Sequence, residues 1–194
     1  MMEILDYYLI IVNIVGFILF VLNMWLHSHT ANGQIGGLLT VISLAGGSFG
    51  ILIAILLMDR KTKKDNVMSK VFITCVFVIQ VITILLIKGY HADHITFAFW
   101  TFFHQRKILT AYLGIMNAVT FAVFAMDKFN AVRDRRRIRI VTLLGLAFVG
   151  GSLGGLLAMY VFKHKTQKDY FTTGIPLIIL MQIVVIFYMM NIGW

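Results

Sequence analysis

Long uncharged apolar stretches alternate with short polar ones along the whole chain. Six stand out: Tyr7–Leu26, Ile35–Met58, Val71–Ile87, Ile108–Met126, Ile138–Phe162 and Gly174–Ile192. Each is about 17–25 residues, the length at which a helix rising about 1.5 Å per residue crosses a hydrocarbon core of about 30 Å. Helices are expected because lipid cannot satisfy an open backbone, and a barrel would show short alternating strands instead. Pro176 falls in the first turn of the last segment, where its missing N–H costs little. Between the third and fourth segments lies Gly89–Lys107, whose aromatic core Ile95–His104 is too short to cross and reads as a helix lying flat at the interface.

The polar positions carry an internal repeat. Shifted by 104 residues, the two halves align without a gap over about 60 positions. Tyr8 meets Tyr112, Asn13 meets Asn117, Phe17 meets Phe121 and Phe20 meets Phe124. Gly46-Gly47-Ser48-Phe49-Gly50 meets Gly150-Gly151-Ser152-Leu153-Gly154, and Lys64-Asp65 meets Lys168-Asp169. The reading is therefore an all-α integral membrane protein. Residues 1–88 form one three-helix repeat, 89–107 an interfacial aromatic linker, and 108–194 a second three-helix repeat.

Charge decides how the repeats insert. Three spans per repeat put the second copy upside down relative to the first, the architecture of many transporters. With both termini cytoplasmic, the inner loops then carry 11 of the 17 basic residues. In a rival topology, Ile35–Met58 and Ile138–Phe162 are re-entrant hairpins bent at Gly-Gly-Ser, leaving four spans and parallel repeats. Every basic residue except Lys88, Arg106 and Lys107 then lies inside, which satisfies the positive-inside rule better. Its cost is backbone at each bend that needs protein cover, and the six-span, inverted form is the expectation.

Composition narrows the class further. The chain is 60% hydrophobic and 13% charged, against about 25% charged in soluble domains. The net charge of +9 lies in loops between apolar segments, so anionic lipid headgroups are the expected partners and nucleic acid is not. An N-terminal stretch opening with Glu3 and Asp6 lacks the positive region of a signal peptide. A single cysteine, Cys75, excludes an internal disulfide and a cysteine metal cluster.

The second half resembles a known family. Asn117-x3-Phe121, Asp127-Lys128-x2-Ala131, Arg137, Gly150-Gly151-Ser152-x-Gly154-Gly155, Met159, His164-Lys165-Thr166, Phe171 and Gly174-Ile175-Pro176 follow in order. Together they are similar to the bacterial membrane family called domain of unknown function 1294, over about Tyr112–Phe187. Arg139 and Ile140 stand where that family's pattern has Pro-Glu, and Lys163 where it has Arg. The first half is more degenerate, with Asn23-Met24 in place of Asp-Lys and Asp59-Arg60-Lys61-Thr62 in place of Arg-His-Lys-Thr. The chain thus looks like a fused duplicate whose second copy is the more family-like. The resemblance implies no activity, substrate or cofactor.

Candidate chemistry is confined to a few polar groups. Gly46, Gly47, Ser48 and Gly50, with Gly150, Gly151, Ser152 and Gly154, offer close helix packing or a broken helix able to hold an anion. Asp127, Lys128, His164, Lys165 and Thr166 lie at span ends, where charged groups reach water cheaply. In the six-span form Asp127 and His164 fall on opposite faces, and in the hairpin form they share one and pair. Asn13 and Asn117 are intramembrane amides expected to bond a neighbouring helix, and Thr74, Ser43 and Thr120 to back-bond to their own. His27-Ser28-His29 and His91-Ala92-Asp93-His94 read as surface imidazoles, with His104 and His164, and no metal or cofactor site is expected. No catalytic constellation emerges. The leading expectation is movement of a small solute or anion along an inverted-repeat interface. A non-catalytic, lipid-binding scaffold follows, then a lipid-modifying enzyme; a homo-oligomer is compatible with each.

Overall fold

The structure is a computed structural model that describes residues 4–29, 36–58, 67–90 and 95–192. All regular structure among the described residues is helical, in the order α1 (Ile4–His29), α2 (Gly36–Ile42), α3 (Ser48–Met58), α4 (Val67–Ile87), α5 (Phe99–Gln105), α6 (Lys107–Val132), α7 (Ile140–Leu146), α8 (Ser152–Val161), α9 (Asp169–Thr172) and α10 (Gly174–Asn191). Six helical segments are long and apolar enough to cross a membrane, with mean hydropathies of 1.8 to 2.6. Two of these, Gly36–Met58 and Ile140–Val161, are each broken inside by a single glycine.

The chain divides into two compact units, Met1–Val81 and Ile82–Trp194. In the first, α1 carries a bent pair, α2 and α3, joined by the wide turn Ser43–Gly47. Gly46 sits there at φ +117°, a conformation that side chains with a Cβ rarely adopt. The chain doubles back at that point. Leu39 before the turn and Ile51 and Ile55 after it share one apolar cluster with Leu19 and Phe20 of α1 and Ile73 of α4.

The second unit is laid out in the same way with more side-chain detail. α7 and α8 meet at the turn Ala147–Gly151, where Gly150 stands at φ +127°. The backbone N–H of Ile138, ahead of α7, reaches Asp127 of α6, and so does the His164 ring beyond α8. The turn between them lies far down α6, with the Val149 carbonyl at Tyr112. Thus α7 descends along α6 and α8 climbs back. Ten residues from Ile140 to Gly150 advance about 15 Å, half a hydrocarbon core.

α10 closes the second unit. Phe171, just ahead of it, packs edge-on against Phe124 of α6 with ring centres 5.6 Å apart. At its other end the buried Asn191 amide grips the backbone of Thr96 from both sides, accepting from the N–H at 2.6 Å and donating to the carbonyl at 3.2 Å. That clamp holds residues 95–98 out of helix, so the aromatic linker helix is the shorter α5, running directly into α6 through Arg106.

Candidate functional site

The inner end of each bend is a polar clasp inside an apolar setting. A helix that stops leaves carbonyls without partners, and in lipid each unsatisfied group costs several kcal/mol. In the second unit four carbonyls in the turn are met by side chains. Gln182 Nε2 donates to Ala147 O at 2.8 Å and to Phe148 O at 3.0 Å, Tyr112 Oη to Val149 O at 2.6 Å, and Asn117 Nδ2 to Gly150 O at 3.0 Å. On the restarting helix, Asn117 Oδ1 accepts the Gly154 N–H at 2.7 Å, and the Ser152 hydroxyl donates to Gln182 Oε1.

The first unit repeats these bonds except the one to the turn glycine's carbonyl, since Asn13 Nδ2 donates to Leu9 O instead. Tyr8 Oη donates to Ala45 O at 2.7 Å, and Asn13 Oδ1 accepts the Gly50 N–H at 2.8 Å. Ser48 bonds Gln80, whose amide donates to Ser43 O at 2.6 Å and Leu44 O at 3.1 Å. The glycines are both packing residues and breaks. A Cβ at Gly50 would lie 1.9 Å from Asn13 O and one at Gly154 2.0 Å from Asn117 O, while Gly46 and Gly150 make the turns and Gly47 and Gly151 are buried within them. The expected intramembrane amide bonds are present.

Gln80 and Gln182 are the site residues that sequence reasoning missed. Each is an amide in the middle of an apolar third segment, and that is the available signal. Of the three hydroxyls expected to back-bond, Thr74 does so, to Lys70 O at 2.7 Å. Ser43 and Thr120 do not: both hydroxyls are buried with no hydrogen-bond partner. The Ser43 carbonyl is instead committed to Gln80, and Thr120 lies against Gly151, where a Cβ would sit 1.8 Å from its Oγ1.

At the other end of the second bend is a charged cluster. Asp127, which the sequence places at a span end in reach of water, is fully buried within α6, which runs a turn and a half beyond the apolar segment. Its carboxylate is satisfied internally, which a buried charge requires. Oδ1 accepts the Ile138 N–H at 2.7 Å, and Oδ2 accepts from His164 Nε2 at 2.9 Å and Lys165 Nζ at 2.6 Å. Facing an ionised acceptor, that imidazole nitrogen carries its proton. The Lys165 ammonium also lies 4.9 Å from the centre of the Phe171 ring. Burial lowers Lys165 below the usual lysine range, and Asp127 pulls it back while Arg137 pushes it further down.

The loop that delivers His164 and Lys165 is strained. After α8 the chain closes with the His164 N–H on Met159 O at 3.0 Å and the Lys163 N–H on Tyr160 O at 3.3 Å. That pairing needs a left-handed residue where glycine is usual. Lys163 occupies it at φ +45°, and Lys165 follows at φ +61°. Thr166 is exposed and Lys128 half-buried, and neither joins the Asp127 cluster. His29 Nδ1 lies 2.9 Å from Trp25 O. The remaining candidate positions, His27, Ser28, residues 59–66 and residues 91–94, lie outside the described side chains. No group of three or more metal-ligating side chains occurs among the described residues.

Fold and site thus define an all-helical protein with the make-up of a multi-pass membrane protein. Residues 117–171, from the clasp asparagine to the phenylalanine under Lys165, match the family described as Protein of unknown function (DUF1294). A relative, the uncharacterized protein YsdA of Bacillus subtilis (strain 168), is 37% identical over 79 residues, which are 41% of this chain and 89% of the relative. The chain belongs to this uncharacterised family. No solved structure matches it.

Proposed function

We propose that the protein is a non-catalytic membrane scaffold that engages anionic lipid headgroups, built from two tandem copies of one module. Each module consists of two spans enclosing a re-entrant hairpin, and the two copies insert in the same sense. One observation carries the reading: His164 and Asp127 meet at 2.9 Å. Inserted in a bilayer, that contact puts the loop after α6 and the loop after α8 on one face. Lys128, Arg133, Arg135, Arg136, Arg137 and Arg139 then share it with Lys163, Lys165 and Lys168. The matched clasps support the same hairpin in the first copy. The satisfied carbonyls at each bend answer the objection that lipid-depth backbone needs cover.

In this arrangement the basic loops face the cytoplasm, and the linker and both chain ends lie on the outer face, opposite to the six-span expectation. Trp100 of α5 is 86% exposed and, with Phe97, fits an aromatic anchor at the outer interface. The solute-transport reading rests on oppositely inserted copies, and the asparagine, glutamine and tyrosine groups at the bends are spent on backbone. Native mass spectrometry of the protein released from nanodiscs of mixed phosphatidylcholine and phosphatidylglycerol tests the proposal. The anionic lipid is retained preferentially, and salt weakens that preference. Equal retention of both lipids at low salt defeats it.

A further inference from the structure

We propose that the mouth of the second hairpin is a discrete phosphate-binding site, with the Arg137 guanidinium as its principal ligand and Lys165 and His164 beside it. The inference deepens the scaffold reading, on which it rests, by replacing a diffuse basic surface with one locus.

The argument starts from charge. Asp127 brings three segments together: α6 itself, the backbone at Ile138, and the His164-Lys165 loop. Its single negative charge is consumed by Lys165 and the ring N–H of His164. Arg137 precedes Ile138, the residue whose N–H is pinned to that carboxylate, so its backbone is fixed at the cluster. Its side chain is exposed and makes no ion pair among the described residues. Lys165 is thus fixed on the one carboxylate while Arg137, anchored through its neighbour Ile138, adds a second cation beside it, so positive charge exceeds negative at this mouth.

Holding it there is costly, because like charges are kept together and two lysines adopt left-handed backbone in the adjoining loop. An oxyanion between Arg137 and Lys165 relieves the repulsion. Guanidinium presents parallel N–H donors matching two phosphate oxygens, which an ammonium cannot imitate. The site lies past the end of α8 and level with the last turns of α6, where lipid phosphates would be met.

A charge-conserving substitution separates a site from a surface. In the nanodisc experiment, R137K is expected to reduce retention of phosphatidylglycerol about tenfold, the loss of a charge-assisted, bidentate contact. R135K and R136K are expected to retain it at the wild-type level. Unchanged retention in R137K, or equal losses in all three variants, overturns the site while leaving the scaffold reading standing. A wild-type protein with no preference for the anionic lipid overturns the scaffold reading, and if it also shows no Arg137-dependent binding of inorganic phosphate the site falls with it. In nanodiscs of phosphatidylcholine alone, inorganic phosphate is titrated against the same variants and followed by phosphorus NMR. Binding there that depends on Arg137, without retention of phosphatidylglycerol, assigns the site to free phosphate and removes the lipid.

Discussion

The two bends of the molecule agree at their tips and differ at their mouths. At both tips an asparagine, a tyrosine and a glutamine, the last bonded by a serine hydroxyl, satisfy backbone exposed by one left-handed glycine. At the mouths the second unit has a buried Asp127 fastened to His164, Lys165 and Ile138, whereas the first has Asn23 at the matching position. The difference separates two demands. Any helix broken in lipid must have its backbone met, so the tip chemistry is dictated by the fold itself. A buried carboxylate under a basic loop is not required for that, so the second mouth carries something in addition.

The largest effects should break the likeness of the tips. Leucine at Gly50 or Gly154 drives a side chain into the backbone of Asn13 or Asn117, and no rotamer relieves it. The expected cost exceeds the roughly 1–3 kcal/mol of ordinary overpacking, and each variant loses its hairpin. For Gly50 the readout is earlier labelling of the buried Cys75 by a thiol reagent on heating, and a labelling curve matching wild type would contradict it.

Next comes the mouth, where the units should part. D127A leaves Lys165 without its carboxylate and is expected to cost about 3 kcal/mol, as in broken buried pairs. N23A, at the matching position, should cost less than half of that in the same thermal-unfolding assay. Smaller and equal losses are expected from Q80L and Q182L, about 1–3 kcal/mol each for orphaned carbonyls. A large loss from one and none from the other would show that the tips are not equivalent. The smallest effect has the opposite sign. K163G removes left-handed strain and should raise stability by up to about 1 kcal/mol, provided the loop closes as described.

Sequence alone showed the spans, the glycines and the paired asparagines, because apolar runs and small residues recur in one register. It left open whether the glycine segments cross or return. That depended on whether Asp127 meets His164, a contact between residues 37 apart that no local pattern encodes. The glutamines escaped notice for a simpler reason. Gln80 and Gln182 stand 102 positions apart, two short of the register that aligns everything before them. The strained Lys163 turn was equally hidden, since no glycine marks the left-handed position. Asp127 looked interfacial because the apolar run stops at Met126, while the helix continues to Val132.

The sidedness of the two basic loops in the second unit decides the account. Single cysteines at Arg136 and Lys168, introduced with Cys75 replaced by alanine, can be probed with an impermeant thiol reagent in intact cells and in inverted membrane vesicles. Both positions should react in inverted vesicles and be protected in intact cells. Reaction of the two from opposite sides would mean that Ile140–Val161 passes through the bilayer, and the hairpin would be wrong.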